Sequence, residues 1–324
     1  MLNRKTFLYA GKVLLGLLLL AWLFWQVDYR QIYASLGSGD PVFLIFGVIA
    51  MTLAFIVVQG IRLHILIRSI TTSRIEALKI VLISLFLDQF LPSNMGGDAY
   101  RIIYLLNIGN STWAKPVTLI FIDRFVGMIT MFFAGMIYLF MRGNLLFSKI
   151  GTVHSVKLSG LHLYEWLAFG VILTLIMGLF ARSKIKNWWK KLVKFLIECT
   201  KVTKAIELPV WLGLIFLSIC FHALRATGFY FFLRYFNEYV SLLDLVFVLF
   251  LTAFVSIVPV TIGGLGVIEG VTAFSLSIFG VAGSTAVAIA FLNRLVWIAY
   301  GAIGGLWFVL GRKNKKILQA LGDH

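Results

Sequence analysis

Six runs of this sequence, at about 7–25, 42–61, 117–140, 164–181, 209–236 and 286–310, are apolar over about 18–28 residues each. At about 1.5 Å of rise per residue, some 20 residues in a helix cross the roughly 30 Å hydrocarbon core of a bilayer. No water-soluble fold has room for six such helices. The composition agrees, with 60% of residues hydrophobic and 13% charged, where soluble domains run near 45–50% and about 25%. A soluble enzyme, a disordered chain and a secreted scaffold are thereby excluded. The chain reads as an all-α, multi-pass integral membrane protein of the cell (inner or plasma) membrane. Its first run follows Arg4 and Lys5 without a small-x-small cleavage site and is expected to be a retained anchor.

Two further apolar stretches, 77–91 and 244–258, stop at Pro92 and Pro259 after about 15 residues. A helix of that length reaches only about 22 Å. Each stretch is followed by a Gly-rich turn and a second short piece, at 99–108 and 267–281. Such a pair is expected to be a re-entrant helical hairpin, with two short tilted spans as the alternative; irregular backbone at that depth must be buried in protein or line a cavity. Either way the chain returns to the side from which it entered.

Charge fixes the orientation. Of 29 Lys and Arg against 13 Asp and Glu, 19 cations fall in segments 1–12, 62–79, 182–207 and 312–316, and four in 26–41 and 142–162. The cation-rich side is cytoplasmic, so both termini are expected inside. Net charge of +16 is therefore mostly a topology signal and not a sign of a nucleic-acid partner. Segment 182–207 combines apolar residues at helical spacing (Ile185, Trp188, Trp189, Leu192, Phe195, Leu196, Cys199, Val202) with seven lysines. It reads as a basic amphipathic helix on the cytoplasmic leaflet, serving either as a topological clamp or as a lipid contact.

The two broken stretches also share a motif. Pro92-Ser93-Asn94-Met95-Gly96-Gly97 and Pro259-Val260-Thr261-Ile262-Gly263-Gly264 both read P-x-x-x-G-G. Asp123-Arg124 and Asn293-Arg294 follow, with the arginines 32 and 35 residues after the respective proline, while Arg62 and Arg225 precede the prolines by 30 and 34. Residues 1–141 and 160–311 are thus expected to be two repeats within one membrane domain. Each holds an odd number of full spans, so the second is inverted relative to the first. Paired interrupted segments in inverted halves point to a transporter's substrate site near the midplane.

Ionisable residues inside a membrane are expensive and face a partner or a cavity. Those here are Asp88, Asp98, Arg101, Asp123, Arg124, Arg225, Glu269 and Arg294, with Arg62 placed near the cytoplasmic boundary. Asp98 and Glu269 open the helices after the two turns, where a carboxylate either caps the helix or serves the site. Adjacent charges such as Asp123 and Arg124 point some 100° apart, and each needs its own partner. Arginine forks bind phosphate through two oxygens, and the glycine turns Gly96-Gly97 and Gly263-Gly264 add backbone donors at helix N-termini. The expected site is a positively lined midplane cavity. Arg62, Arg101, Arg124, Arg225, Arg294 and the four glycines bind an anionic headgroup there, and Asp88, Asp98, Asp123 and Glu269 act as counter-ions or proton carriers. No nucleotide-binding, zinc-protease or serine-hydrolase motif is present. Neither cysteine has a metal-ligand spacing, and no cofactor or metal is expected.

The run from Leu91 to Arg101, together with Asp123-Arg124, Pro259, Gly263-Gly264-Leu265-Gly266 and Glu269, resembles the lysylphosphatidylglycerol synthase transmembrane region, also called the flippase-like domain family. The resemblance spans essentially the whole chain. It implies a membrane domain that moves lipids between leaflets. The 13 residues after Gly311 leave no room for the soluble synthase domain of two-domain members, so lipid aminoacylation is not expected. The leading expectation is a flippase, not an enzyme, that moves an anionic phosphate-bearing lipid by alternating access. The alternatives are an intramembrane enzyme acting on a lipid headgroup, and an accessory subunit that presents lipid to a lipid-modifying enzyme or glycosyltransferase. Lipid identity, direction, coupling ion and oligomeric state are open at this level.

Overall fold

The computed structural model describes residues 39–90, 96–109, 112–153, 185–257 and 261–310. The runs at 7–25 and 164–181, both motif prolines and segment 312–316 lie outside the described residues. Among the described residues there are nine helices and no strand: α1 (Pro41–Ile67), α2 (Arg74–Phe90), α3 (Gly96–Gly109), α4 (Ala114–Val153), α5 (Ile185–Lys204), α6 (Leu208–Tyr235), α7 (Leu242–Ser256), α8 (Val267–Ile278) and α9 (Gly283–Leu310).

Local chemistry sets the boundaries. Asp40 caps α1, its Oδ1 accepting the Val42 N–H at 2.9 Å, and Pro41 pre-sets the first turn. α2 ends two residues before Pro92 and α7 three before Pro259, since proline cannot continue a helix. Ser241 caps α7 by accepting the Asp244 N–H at 3.2 Å. Among the described residues, four helices are long and apolar enough to cross a membrane: Pro41–Ile67, Ala114–Gly143, Leu208–Tyr235 and Gly283–Leu310. They coincide with four of the six expected spans. At 17, 14, 15 and 12 residues, α2, α3, α7 and α8 reach only about 26, 21, 22 and 18 Å. The short elements are therefore real helices, and each is too short to span alone.

Two boundaries differ from the sequence reading. α1 is continuous to Ile67, passing through a π-helical stretch at Leu53–Val58, so Arg62 is buried in the helix, five residues before its end. A carboxylate partner described below makes that tolerable. α4 continues to Val153, through what reads as an external loop from 142, because Gly143 and Gly151 alone interrupt a proline-free run. α5 forms over Ile185–Lys204, within the expected amphipathic segment, and packs on α4.

α1 and α6 run antiparallel, with Gly47 beneath Phe232, Gly228 beneath Met51, and Phe55 edge-on to Phe221 at 5.4 Å. α2 packs on α3 and α7 on α8. Across the molecule, α2 lies along α9 and α7 along α4, so the first helix of each short pair packs on a long helix from the other part of the sequence. Glycines allow the first crossing: a Cβ at Gly304 would fall onto the Leu82 carbonyl. Backbone cannot yield as a side chain tip can. Gly304→Ala is therefore expected to destabilise the protein by about 1–3 kcal/mol, the usual penalty of overpacking, read as a lower unfolding midpoint in detergent. The outward faces are apolar, with Phe121, Phe133, Phe216 and Leu306 largely exposed. Exposed apolar area on this scale suits hydrocarbon and not water.

Candidate functional site

The tips of the two interrupted elements meet. Gly263, at φ +58°, lies directly against the last turn of α2, and a Cβ there would be 3.0 Å from the Gln89 carbonyl oxygen and 3.4 Å from that of Asp88. Gly264 and Gly266 also have positive φ, +68° and +79°, which favours glycine. On the other side, Gly96 and Gly97 are buried at the start of α3. The Gly97 N–H donates to Asp88 Oδ1 at 2.8 Å, and α3 approaches α2 so closely that a Cβ at Gly97 would sit 2.6 Å from the Ser84 carbonyl. Gln89 ties the junction to α9 by donating to the Trp297 carbonyl at 2.9 Å.

A chain of charges runs through the first half. Arg62 Nε donates to Asp123 Oδ1 at 2.7 Å, and its Nη1 donates to Ser218 Oγ of α6 at 3.1 Å. Asp123 Oδ2 lies 3.5 Å from Arg101 Nη1. Arg101, only 2% exposed, donates from Nε to Ser84 Oγ at 3.0 Å and lies 3.8 Å from Asp98. Asp98 Oδ2 is 2.7 Å from Arg124 Nε, and Arg124 Nη2 is 3.9 Å from Asp88 Oδ2. Three arginines and three aspartates thus balance, drawn from α1, α2, α3 and α4. Asp123 and Arg124, adjacent in sequence, turn to different partners, as their angular separation on the helix requires. The Arg124 side chain is 42% exposed, against 7% for Arg62 and 2% for Arg101, and is the most open cation of this network.

The second half repeats the closing pair. Glu269, in the first turn of α8, accepts the Gly266 N–H at 2.7 Å through Oε2 and pairs through Oε1 with Arg294 Nε of α9. Capping and ion pairing are thus done by one carboxylate at once. Arg294 Nη1 donates to the Gly263 carbonyl at 3.0 Å, and its guanidinium lies 5.0 Å from the Trp297 ring centroid. The parallel is direct: Asp98 on α3 holds Arg124 on α4, and Glu269 on α8 holds Arg294 on α9. Both arginines sit 11 or 12 residues into their spans, about 16–18 Å from one end. Arg225 stands apart, stacked over Phe55 and Phe221 at 5.4 and 5.7 Å.

A family model described as the lysylphosphatidylglycerol synthase TM region matches residues 9–305. The chain belongs to that family. A curated relative, the UPF0104 membrane protein MJ1078 of Methanocaldococcus jannaschii, is 26% identical over 239 residues, which cover 71% of this chain and 96% of the relative. Membership of the lysylphosphatidylglycerol synthase TM region family makes the chain a multi-pass integral membrane protein and is consistent with a lipid-related role in the membrane.

In this member of the lysylphosphatidylglycerol synthase TM region family, several site neighbours escape a sequence reading. Ser84, Gln89 and Ser218 complete the networks, yet as single polar residues within apolar helices they stand out only beside Asp88 or after folding. Asp244 was legible in part, since Ser241-x-x-Asp244 has the spacing of a helix cap. What the spacing hides is that Asp244 also lies 3.2 Å from Arg142 and accepts from the Tyr138 hydroxyl at 2.8 Å, joining α7 to α4.

Proposed function

We propose that the protein is a lipid transporter, not an enzyme, that moves an anionic, phosphate-bearing lipid between the leaflets of the cell membrane, with both termini cytoplasmic. The observation that carries this reading is the meeting of two interrupted helix pairs, α2–α3 and α7–α8, at glycine turns flanked by buried arginine–carboxylate pairs. Interrupted helices of matching position in two halves are the usual architecture of a midplane transport site. The exchange of partners supports the inverted repeat: α2 lies on α9 as α7 lies on α4, and α1 pairs with α6.

In this reading the hairpin tips form the floor of the site. Arg124, open on one side, meets the headgroup first. Arg101, Arg294 and Arg62 set the positive field around it, and Asp88, Asp98, Asp123 and Glu269 hold those arginines or exchange protons with them. Substrate phosphate would compete with Asp98 for Arg124, since a guanidinium fork serves either oxyanion. Rocking of one half against the other would then turn the site from one leaflet to the other.

The test is translocation of a fluorescent phosphatidylglycerol in liposomes containing the purified protein, read by quenching of the outer leaflet. Arg124→Ala is expected to slow the rate at least about tenfold, the effect of losing one charge-assisted contact of about 1.5–3 kcal/mol. Wild-type rates in both Arg124→Ala and Glu269→Ala would overturn the site assignment. Absence of translocation by the wild-type protein with any phosphate-bearing lipid would overturn the function.

A further inference from the structure

Of the arginines read as buried in the membrane, Arg62, Arg101, Arg124 and Arg294 each have a carboxylate within 4 Å, and Arg225 has none. Asp88, Asp98, Asp123, Asp244 and Glu269 each lie within 4 Å of an arginine, and none of them reaches Arg225. Arg225 Nε is buried without a hydrogen-bond partner. Its counterpart in the first half, Arg62, is neutralised by Asp123, but the position matching Asp123 in the second half is Asn293. Nor does the sequence of the two runs outside the described residues offer a mid-span counter-charge: 7–25 has no acid, and 164–181 has Glu165 at its edge.

The surroundings are built around that guanidinium. Phe55 and Phe221 stack on it from α1 and α6, midway along both helices. Phe55 belongs to the π-helical stretch Leu53–Val58, and such wide turns occur mostly at functional sites because they re-aim a side chain. Tyr300 of α9 closes one side, its ring 6.3 Å from that of Phe55 and its hydroxyl 2.7 Å from Thr52 Oγ1. Gln59 Oε1 and His222 Nδ1, on the same two helices, are also buried without a partner. Unsatisfied polar atoms in an interior call for a ligand or water. The two rings, in edge contact with each other, both lie to one side of the guanidinium and leave its N–H groups for a planar oxyanion.

We propose that Arg225, beside the Phe55–Phe221 pair, is a second anion site, apart from the hairpin tips, that takes a phosphate group within the membrane. It deepens the transport reading and shares only its premise that the ligand carries phosphate. The position halfway along two helices with apolar outer faces favours a lipid phosphodiester over a free ion.

The test uses the purified full-length protein in maltoside detergent and follows its unfolding midpoint during titration with phosphatidylglycerol, inorganic phosphate or an uncharged diacylglycerol glucoside. Phosphatidylglycerol is expected to raise the wild-type midpoint, and Arg225→Gln to weaken that apparent affinity at least about tenfold, while Arg225→Lys retains part of it. In detergent alone, Arg225→Gln is expected to leave the midpoint unchanged or raised, because it removes a buried unpaired charge; a residue held in a structural ion pair would lower it. A rise with phosphatidylglycerol only assigns a lipid headgroup, and an equal rise with inorganic phosphate assigns a free anion; both support the site. An equal response in Arg225→Gln, or an equal rise with the glucoside, overturns it. The measurement is one of equilibrium binding and needs no transport. Wild-type translocation with an unchanged Arg225→Gln titration would sink this site alone, and an Arg225-dependent titration without translocation would sink the transport reading alone.

Discussion

Asp123→Ala is expected to be among the most damaging single substitutions in the protein, lowering stability by about 3–5 kcal/mol. Its carboxylate is fully buried and serves two guanidiniums, Arg62 at 2.7 Å and Arg101 at 3.5 Å. Removing it leaves buried Arg62 without its counter-charge and Arg101 with only Asp98 at 3.8 Å, and an uncompensated buried charge is the costly case, whatever the net worth of the intact network. Asp123→Asn, which keeps an acceptor for Arg62 but not the charge, is expected to lose less. Thermal unfolding in maltoside detergent checks this, together with the fraction recovered monodisperse after mild heating. Midpoints within a degree of wild type for Asp123→Ala would show that the arginines are neutralised some other way.

Glu269→Ala is the second large effect, again about 3–5 kcal/mol, for two separable reasons. It strips Arg294 of its counter-ion, and it leaves the Gly266 N–H without its acceptor at the start of α8. Glu269→Gln separates the two, since the amide oxygen can still accept from Gly266 while the charge is gone. Its loss is expected to fall between wild type and alanine. Arg294→Met added to Glu269→Ala is expected to recover part of the loss, because removing both members of a buried pair is often close to neutral where removing one is not. The same midpoint measurement, run as a double-mutant cycle, decides it; strictly additive losses would mean the two residues do not interact.

Both predictions rest on pairings that sequence reading could pose but not resolve. That Asp88, Asp98, Arg101, Asp123, Arg124, Glu269 and Arg294 belong together followed from the cost of charge in hydrocarbon. Their order around the repeated glycine turns followed from spacing. Which carboxylate meets which arginine did not, because the partners sit on different helices, up to 61 residues apart for Arg62 and Asp123. Arg62 shows the limit well. Hydropathy alone ends its span near residue 61, yet α1 runs on to Ile67 with Arg62 buried in it, paired with an aspartate on α4. Arg225 shows the reverse: it reads like the other arginines, and only the positions of the acids reveal that it has none.

The amino-acid sequence by itself marked this chain as an all-helical membrane protein, with six expected spans, of which the four among the described residues are long apolar helices, and with four helices too short to cross. Length and polarity are local properties, and a bilayer or a proline acts on them residue by residue. The tertiary structure decided that the second glycine turn meets the end of α2, that α2 and α7 each pack on the final span of the other half, and which arginines are neutralised. Those outcomes depend on close approach of backbones at Gly263, Gly97 and Gly304 and on charges brought together across helices. Contact at a distance along the chain is a property of packing, which no local pattern encodes.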